Sequence, residues 1–458
     1  MSALVNKKVE EEIDSDDEEE LQKQAALKAA AEEEETPAVE EDTSLSNPDV
    51  VTKYQEAAKI VQDALVQISA QCVPGAKIVD ICRFGDDYID SRCMAIYRNK
   101  NKQGKVVLRG IAFPVCISVN ECVCHCSPLE SDDDYPPLAA DDMVKMDIGA
   151  HIDGYIALAA HTLIVGADAS NADVAKTLQE GPRANCINAA YTAAEVAAKM
   201  IKNGNGNSAV TAVIRQIADM YGVEPISGTL MHQMKQYVID GKKMILLKEE
   251  PEQKVETCTF ETGEVYAIDI AMTTGAGTPR DLGLRTTVHK RAVEVKYALK
   301  NKASRELFNA VNKKYPTLPF SMRSMPDEKA VKMGVRECVN HGLLMPYPVL
   351  YEKKGDFIAH VKFTVLLLPS GTLQVTGIPP VTFEALTTTS PAMTEGAARM
   401  NGNIGRIFAQ QLVASKPDTV IPETVTAVLE EVKPENKKKA KKAAAAKAKA
   451  AAAAATKA

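Results

Sequence analysis

The sequence predicts an α+β fold in which helices are interleaved with antiparallel strands. Three observations predict it: a well-capped amphipathic helix early in the chain, a pair of alternating strands joined by a glycine turn, and apolar strands that return after a long helical stretch. The first helix opens with Asn47 as N-cap and Pro48 at the first helical position, where a missing N–H costs nothing and φ is already helical. Val51, Tyr54, Ala58, Val61, Leu65 and Ile68 recur at helical spacing until Pro74-Gly75, so one face is apolar and is expected to pack on a sheet. Segment 106–120 reads as a strand, and 143–166 as two, with alternation in Val144-Lys145-Met146-Asp147-Ile148 and a turn at Gly154. That pattern predicts a hairpin. An Ala-rich stretch over 172–203 predicts a long helix ending at Asn203-Gly204, and 208–221 predicts another before Pro225. Strands are expected again at 243–248, 263–273 and 356–368, the last containing Val365-Leu366-Leu367-Leu368.

The chain has 458 residues, with 54 Lys plus Arg, 61 Asp plus Glu and no Trp, which leaves room for at least one large core and excludes a small disulfide-stapled domain. No apolar run of about 18 residues occurs, and the N-terminal region is acidic where a secretion signal would be basic and then apolar. Neither membrane insertion nor secretion is expected, and the ten Cys are expected to stay reduced. Charge is segregated along the chain. Residues 1–42 hold 16 acidic and 4 basic side chains without one aromatic ring, which predicts a disordered acidic arm over 1–46. Residues 433–458 hold nine Lys and one Glu, a basic low-complexity tail that also reads as a nuclear-import signal. The folded body is expected over 47–432. Within it, residues 289–356 contain 14 Lys plus Arg against 7 Asp plus Glu, either a solvated face or a nucleic-acid contact; the like sign of the tail favours the contact.

Two strands repeat a polar anomaly. Val144-Lys145-Met146-Asp147-Ile148 and Val265-Tyr266-Ala267-Ile268-Asp269-Ile270 each set one Asp in an apolar strand, and a buried carboxylate needs a cation or hydrogen-bond donors. With His125 and His232 these carboxylates suit a divalent metal, although satisfaction by hydrogen bonds alone is the favoured reading of the residues. Cys122-Val123-Cys124-His125-Cys126 invites a zinc reading, but strand alternation would point the three Cys one way and His125 the other, and a second ligand pair at ribbon distance is missing.

Ala112-Phe113-Pro114 through His125, Met146-Asp147 through Gly154, Glu264-Val265-Tyr266 through Asp269, and Lys362-Phe363-Thr364-Val365 resemble, in order and spacing, the motifs of the type 2 methionine aminopeptidases. The resemblance runs from about residue 48 to 375 and includes a helical insertion near 290–350. It implies a pita-bread fold of the peptidase M24 class, a pseudo-twofold curved antiparallel sheet covered by helices. It also implies where the enzymes' five metal ligands would lie: on Asp147, Leu158, His232, Asp269 and Lys362, with the two pocket histidines on His125 and Asp240. Leu158 has no donor atom and Lys362 is a cation where a bridging carboxylate is needed, so neither a metal, another cofactor nor a catalytic residue is expected. Lys362 is expected to neutralise Asp147 and Asp269 instead.

Ser118 through Pro128, His232 through Gly241, Arg285 through Arg291 and Lys362 through Pro369 are more similar still to the proliferation-associated, ErbB-receptor-binding proteins, non-peptidase homologues of those enzymes. The acidic arm departs from their pattern. This resemblance implies an inactive adaptor that binds RNA and the large ribosomal subunit. Its implied roles are in ribosome biogenesis, rRNA processing, translation and growth regulation, in cytoplasm, nucleus and nucleolus, with DNA and nuclear proteins as further partners. Phosphate contacts are expected from Lys290, Arg291, Lys296, Lys300, Lys302, Lys313 and Lys314, and from Lys437, Lys438, Lys439, Lys441 and Lys442 of the tail. Two alternatives stand beside it: an active metal-dependent methionine aminopeptidase using Asp147, His232 and Asp269, and a nuclear DNA-binding transcriptional cofactor.

Overall fold

The computed structural model describes residues 42–100, 104–166, 181–251, 253–377, 413, 416 and 418–430. Residues 1–41 of the expected acidic arm, 172–180 of the expected long helix and the whole Lys-rich tail lie outside them.

Helix α1 (Pro48–Gln71) is capped as its sequence demands, the Asn47 side chain accepting the Asp49 N–H at 3.0 Å. Tyr54, Ala58, Val61, Leu65 and Ile68 are buried along one face. Helix α2 (Ile78–Ala95) follows, an element the sequence pattern did not disclose. At Gly85 a Cβ would lie 2.7 Å from Ile68 and 2.8 Å from Val115, so this glycine lets α2 close on both α1 and the sheet. Then come β1 (Arg109–Val119), β2 (Cys122–Cys124), β3 (Met143–Ile152) and β4 (Tyr155–Ile164). Strands β3 and β4 form the expected hairpin, through Asp153 and Gly154 at φ 55° and 77°, the mirror-image turn that matches strand twist.

The second half has the same plan. Helices α3 (Pro182–Met200) and α4 (Asn207–Tyr221) precede β5 (Glu224–Pro225), β6 (Leu230–Met234), β7 (Met244–Leu246) and β8 (Val265–Thr273). Among the described residues α3 begins at Pro182, ten residues after the expected start, with the Pro at its first position. After β9 (Arg280–Asp281) the basic segment builds its own small unit from β10 (Val288–Arg291), α5 (Lys302–Lys314), β11 (Phe320–Ser321), α6 (Glu328–Asn340) and β12 (Leu344–Tyr347). Leu307, Val311, Tyr315, Phe320, Val331, Cys338 and Leu343 form a separate core inside it. The chain returns through β13 (Leu350–Tyr351) to β14 (Ile358–Leu368) and β15 (Gly371–Gln374), and a short helix α7 (Glu423–Leu429) packs beside α3 and α4.

The main sheet is antiparallel, in the order β1-β3-β4-β14-β8-β6-β7, with β5 against β8 and β15 against β14. Its halves meet where β4 pairs with β14, so that β3 and β8 occupy equivalent places on either side. Met146, Ile148 and Ala150 of β3 pack under α1 and α2, and Tyr266, Ile268, Ile270, Val361 and Val365 pack under α3 and α4. One face of the sheet is thus spent on helices. The alternate side chains, including Asp147, Asp269 and Lys362, emerge on the other face. No helix among the described residues is long and apolar enough to cross a membrane.

Candidate functional site

Cross-strand register assembles the site. In an antiparallel sheet, residues directly opposite one another share a face, and one row across the sheet reads Cys116 on β1, Asp147 on β3, Ala160 on β4, Lys362 on β14 and Asp269 on β8. Ala160 offers only a methyl group, so the Lys362 stem passes over it toward Asp147. The Lys362 ammonium lies 2.7 Å from Asp147 Oδ2 and 2.9 Å from Asp269 Oδ2, with all three side chains 10% exposed or less. Its Nζ also sits 5.3 Å from the centre of the Phe113 ring, a favourable approach of cation to ring face.

Burial alone would push the Asp269 carboxyl up; the Lys362 ammonium and the His360 imidazole overcome it and hold the group well below the usual carboxylate range. Burial alone would likewise lower the Lys362 ammonium, and the two carboxylates instead hold it well above its ordinary value. Each charge therefore stabilises the other. His360 is a member that the sequence reading missed. It stands two residues before Lys362, on the same face of β14, and its Nε2 lies 2.6 Å from Asp269 Oδ1. The signal was the two-residue spacing of His360 and Lys362 in an otherwise apolar strand.

Leu158 does not join the polar group. Its side chain fills the space above Gly149, where an added Cβ would collide with it, and its backbone bonds to Thr364. His232 lies on β6 opposite Ala267, and burial lowers its imidazole. Its Nδ1 and Asp147 Oδ1 are buried without a hydrogen-bond partner among the described residues. His125 Nδ1 donates to Pro348 O at 3.0 Å, and its ring meets Tyr347 edge-on at 5.3 Å. Asp240 is engaged by the insertion, where it pairs with Lys290.

Two expectations need correction, and a third falls outside the described residues. Between Cys122 and Cys124 the pairing of β2 with β13 shifts register, two residues of β2 against one step of β13, so alternation fails: Cys122 and Cys126 pack under α1 and α2, whereas Cys124 packs in the other core. Lys290 is 9% exposed and engaged by Asp240, and half-buried Arg291 lies over the Phe308 ring, so neither is presented to a polyanion as Lys296, Lys300, Lys302, Lys313 and Lys314 are. Lys437, Lys438, Lys439, Lys441 and Lys442 lie outside the described residues.

Burial lowers the imidazoles of His125, His151, His161 and His289 each to about 4. In the unfolded chain they titrate near ~6.5. Between these limits the unfolded chain binds more protons, so unfolding free energy should fall steadily as the pH drops from about 6.5 to about 4, then cease to change on account of these groups. Denaturant midpoints across that interval check this; midpoints that stay level would contradict it.

Residues 52–308 match the family model of metallopeptidase family M24. The chain is 47% identical over 342 residues to ErbB-3 binding protein 1 of Arabidopsis thaliana, covering 74% of this chain and 82% of that protein. It is 43% identical over 341 residues to Proliferation-associated protein A of Dictyostelium discoideum, covering 74% of this chain and 85% of that one. The solved structure of a thermophilic Arx1 superposes with a TM-score of 0.69 at 25% identity, over 84% of this chain and 99% of that chain. With its curved antiparallel sheet backed by two pairs of helices, the chain has the pita-bread fold and belongs to metallopeptidase family M24, within it to the ErbB-3-binding and proliferation-associated proteins.

Proposed function

We propose that this chain is a catalytically inactive member of its family, an adaptor that binds RNA and the large ribosomal subunit. Its proposed work is in ribosome biogenesis, translation and growth control, in cytoplasm and nucleus. The observation that carries the first half is the Lys362 ammonium bonded to both Asp147 and Asp269. A divalent cation at that point would have to displace a charge already held by two carboxylates. Leu158 offers it no donor atom, and no carboxylate bridges to fix a second metal at about 3.5–4 Å. The donor set does not suit a metal, and hydrolysis has no activated water to start from.

The second half rests on surface charge. Lys296, Lys300, Lys302, Lys313 and Lys314 project from the insertion, and Lys302 keeps 83% of its side-chain exposure despite a neighbouring Glu306. Cations spread in this way neutralise phosphates with little sequence preference and a steep dependence on salt. Co-sedimentation with purified large ribosomal subunits should therefore weaken by about 1000-fold or more between ~50 and ~200 mM salt if six or more phosphates are contacted. A chain ending at residue 432 reports whether the tail contributes. Absence of binding at low salt would remove the ribosome from this reading, and preference for duplex DNA over rRNA would replace it with a nuclear DNA-binding role. Cobalt- or manganese-dependent release of Met from a short peptide would overturn the inactive assignment.

A further inference from the structure

At the surface of the insertion two aromatic rings are stacked face to face. The centroids of Tyr297 and His341 are 3.7 Å apart and their planes differ by 11°. Tyr297 packs inward against the insertion core, whereas His341 is exposed, so the outer member of the stack is a solvent-exposed imidazole. The backbone holds that ring in place. His341 closes α6, its N–H donating to Glu337 O at 3.1 Å, and Gly342 at φ 68° turns the chain away behind it.

Two exposed lysines are carried by the backbone next to the stack. Exposed Lys296 adjoins Tyr297, and exposed Lys300 donates its backbone N–H to Glu337 Oε1 at 2.7 Å, one helical turn before His341. The Asn301 N–H occupies the other oxygen of Glu337 at 3.1 Å. Arg305 Nη1 donates to the carbonyls of Leu299 and Lys300, at 3.1 and 2.7 Å, which pins the loop carrying both lysines. A ring serving only the core would be buried with it; His341 is exposed. Every base has a π-face, and an aromatic platform beside cations is how single strands are held without sequence preference.

We propose that the Tyr297–His341 stack receives an unpaired RNA base while Lys296 and Lys300 hold the flanking phosphates. This deepens the RNA-binding reading above and rests on it. Duplex RNA keeps its bases stacked on each other and engages only the lysines.

The test uses the full chain, a short single-stranded RNA carrying one 2-aminopurine, and a duplex of equal length. Wild type is expected to quench the 2-aminopurine fluorescence on binding. His341→Ala should weaken single-strand affinity by about tenfold, relieve the quenching, and leave both duplex affinity and the salt slope unchanged. His341→Phe should restore single-strand affinity, because it returns a ring. Lys296→Ala with Lys300→Ala should weaken both ligands and flatten the single-strand salt slope by about 1.4, some 0.7 for each phosphate no longer neutralised. If His341→Ala binds the single strand as tightly as wild type while the lysine variant weakens, the platform is wrong and the RNA reading stands. Equal losses on single strand and duplex without rescue by Phe would also overturn the platform. If wild type binds neither RNA at low salt, both readings fall.

Discussion

Lys362→Met should lower the free energy of unfolding by about 3–5 kcal/mol, the cost of removing one partner from a buried ion cluster. Met keeps a similar length and volume, so the cavity left behind is small and the loss reports charge. Asp269 retains His360 in the variant, but Asp147 Oδ2 has only Lys362, and its Oδ1 has no partner among the described residues. Asp147 therefore carries most of the penalty. The chain contains no Trp, so urea unfolding is best followed by circular dichroism. Replacing Asp147 and Asp269 by Asn in the Lys362→Met background should recover much of the loss, since no uncompensated charge then remains buried. The difference between wild type and Lys362→Met should also depend on pH. Because Asp269 is held below its unfolded value of ~3.9, its stabilisation is complete above that pH and is lost as pH falls through the depressed folded value. The wild-type share of the gap that Asp269 supplies should therefore be lost only in strong acid. A variant with an unchanged urea midpoint at neutral pH would refute the ion cluster as a structural element.

How much of this was legible depended on whether the pattern was local. Strands β3, β8 and β14 are mostly apolar, so Asp147 and Asp269 stood out as charged residues in apolar runs before any contact was known. Helix α2 did not stand out, because Gly85, Asp86 and Asp87 interrupt its middle; the reasons for Gly85 and Asp86 are tertiary, a close approach to Ile68 and Val115 and a salt bridge to Arg323. The face of Cys124 depended on a register shift where β2 pairs with β13, which alternation cannot foresee. Counting cations gave the sign of the insertion but not the availability of each. The pairing of Lys290 with Asp240 spans 50 residues of sequence and exists only once β10 is in place. His360 acquired a role only when register set it beside Asp269.

Arg323→Ala should cost a similar 3–5 kcal/mol or so, roughly the loss on breaking a buried pair, and do so by loosening the insertion from the body. Arg323 lies in the turn after β11, yet its guanidinium reaches into the body: one amine pairs with Asp86 of α2, and the other donates to Ser127 Oγ and Pro128 O, each at 3.0 Å. Its side chain is 8% exposed and that of Asp86 15%. Burial pushes the Asp86 carboxyl up despite the guanidinium. Asp86 Oδ1 meanwhile accepts the Val115 N–H at 2.8 Å, tying the same carboxylate to β1. Removing Arg323 strands a buried carboxylate and frees two acceptors at once. Because the insertion has its own hydrophobic core, it should survive as a local unit while losing its fixed seat. Limited proteolysis should then cut near residues 285–300 before the body is touched, at denaturant concentrations where wild type resists. Asp86→Ala should show the same early cleavage, and the double variant should be less destabilised than the sum of the two singles, since their loss is shared. Detachment also separates stability from function: Lys296 and Lys300 stay exposed but are no longer held at one angle to the sheet. On the proposed function, affinity for a short RNA should therefore change little, whereas affinity for the ribosomal subunit should fall, because a large ligand would engage several contacts at once. Equal cleavage of wild type and Arg323→Ala, with equal unfolding midpoints, would show that the junction is held by the apolar contacts of β11 and not by this ion pair.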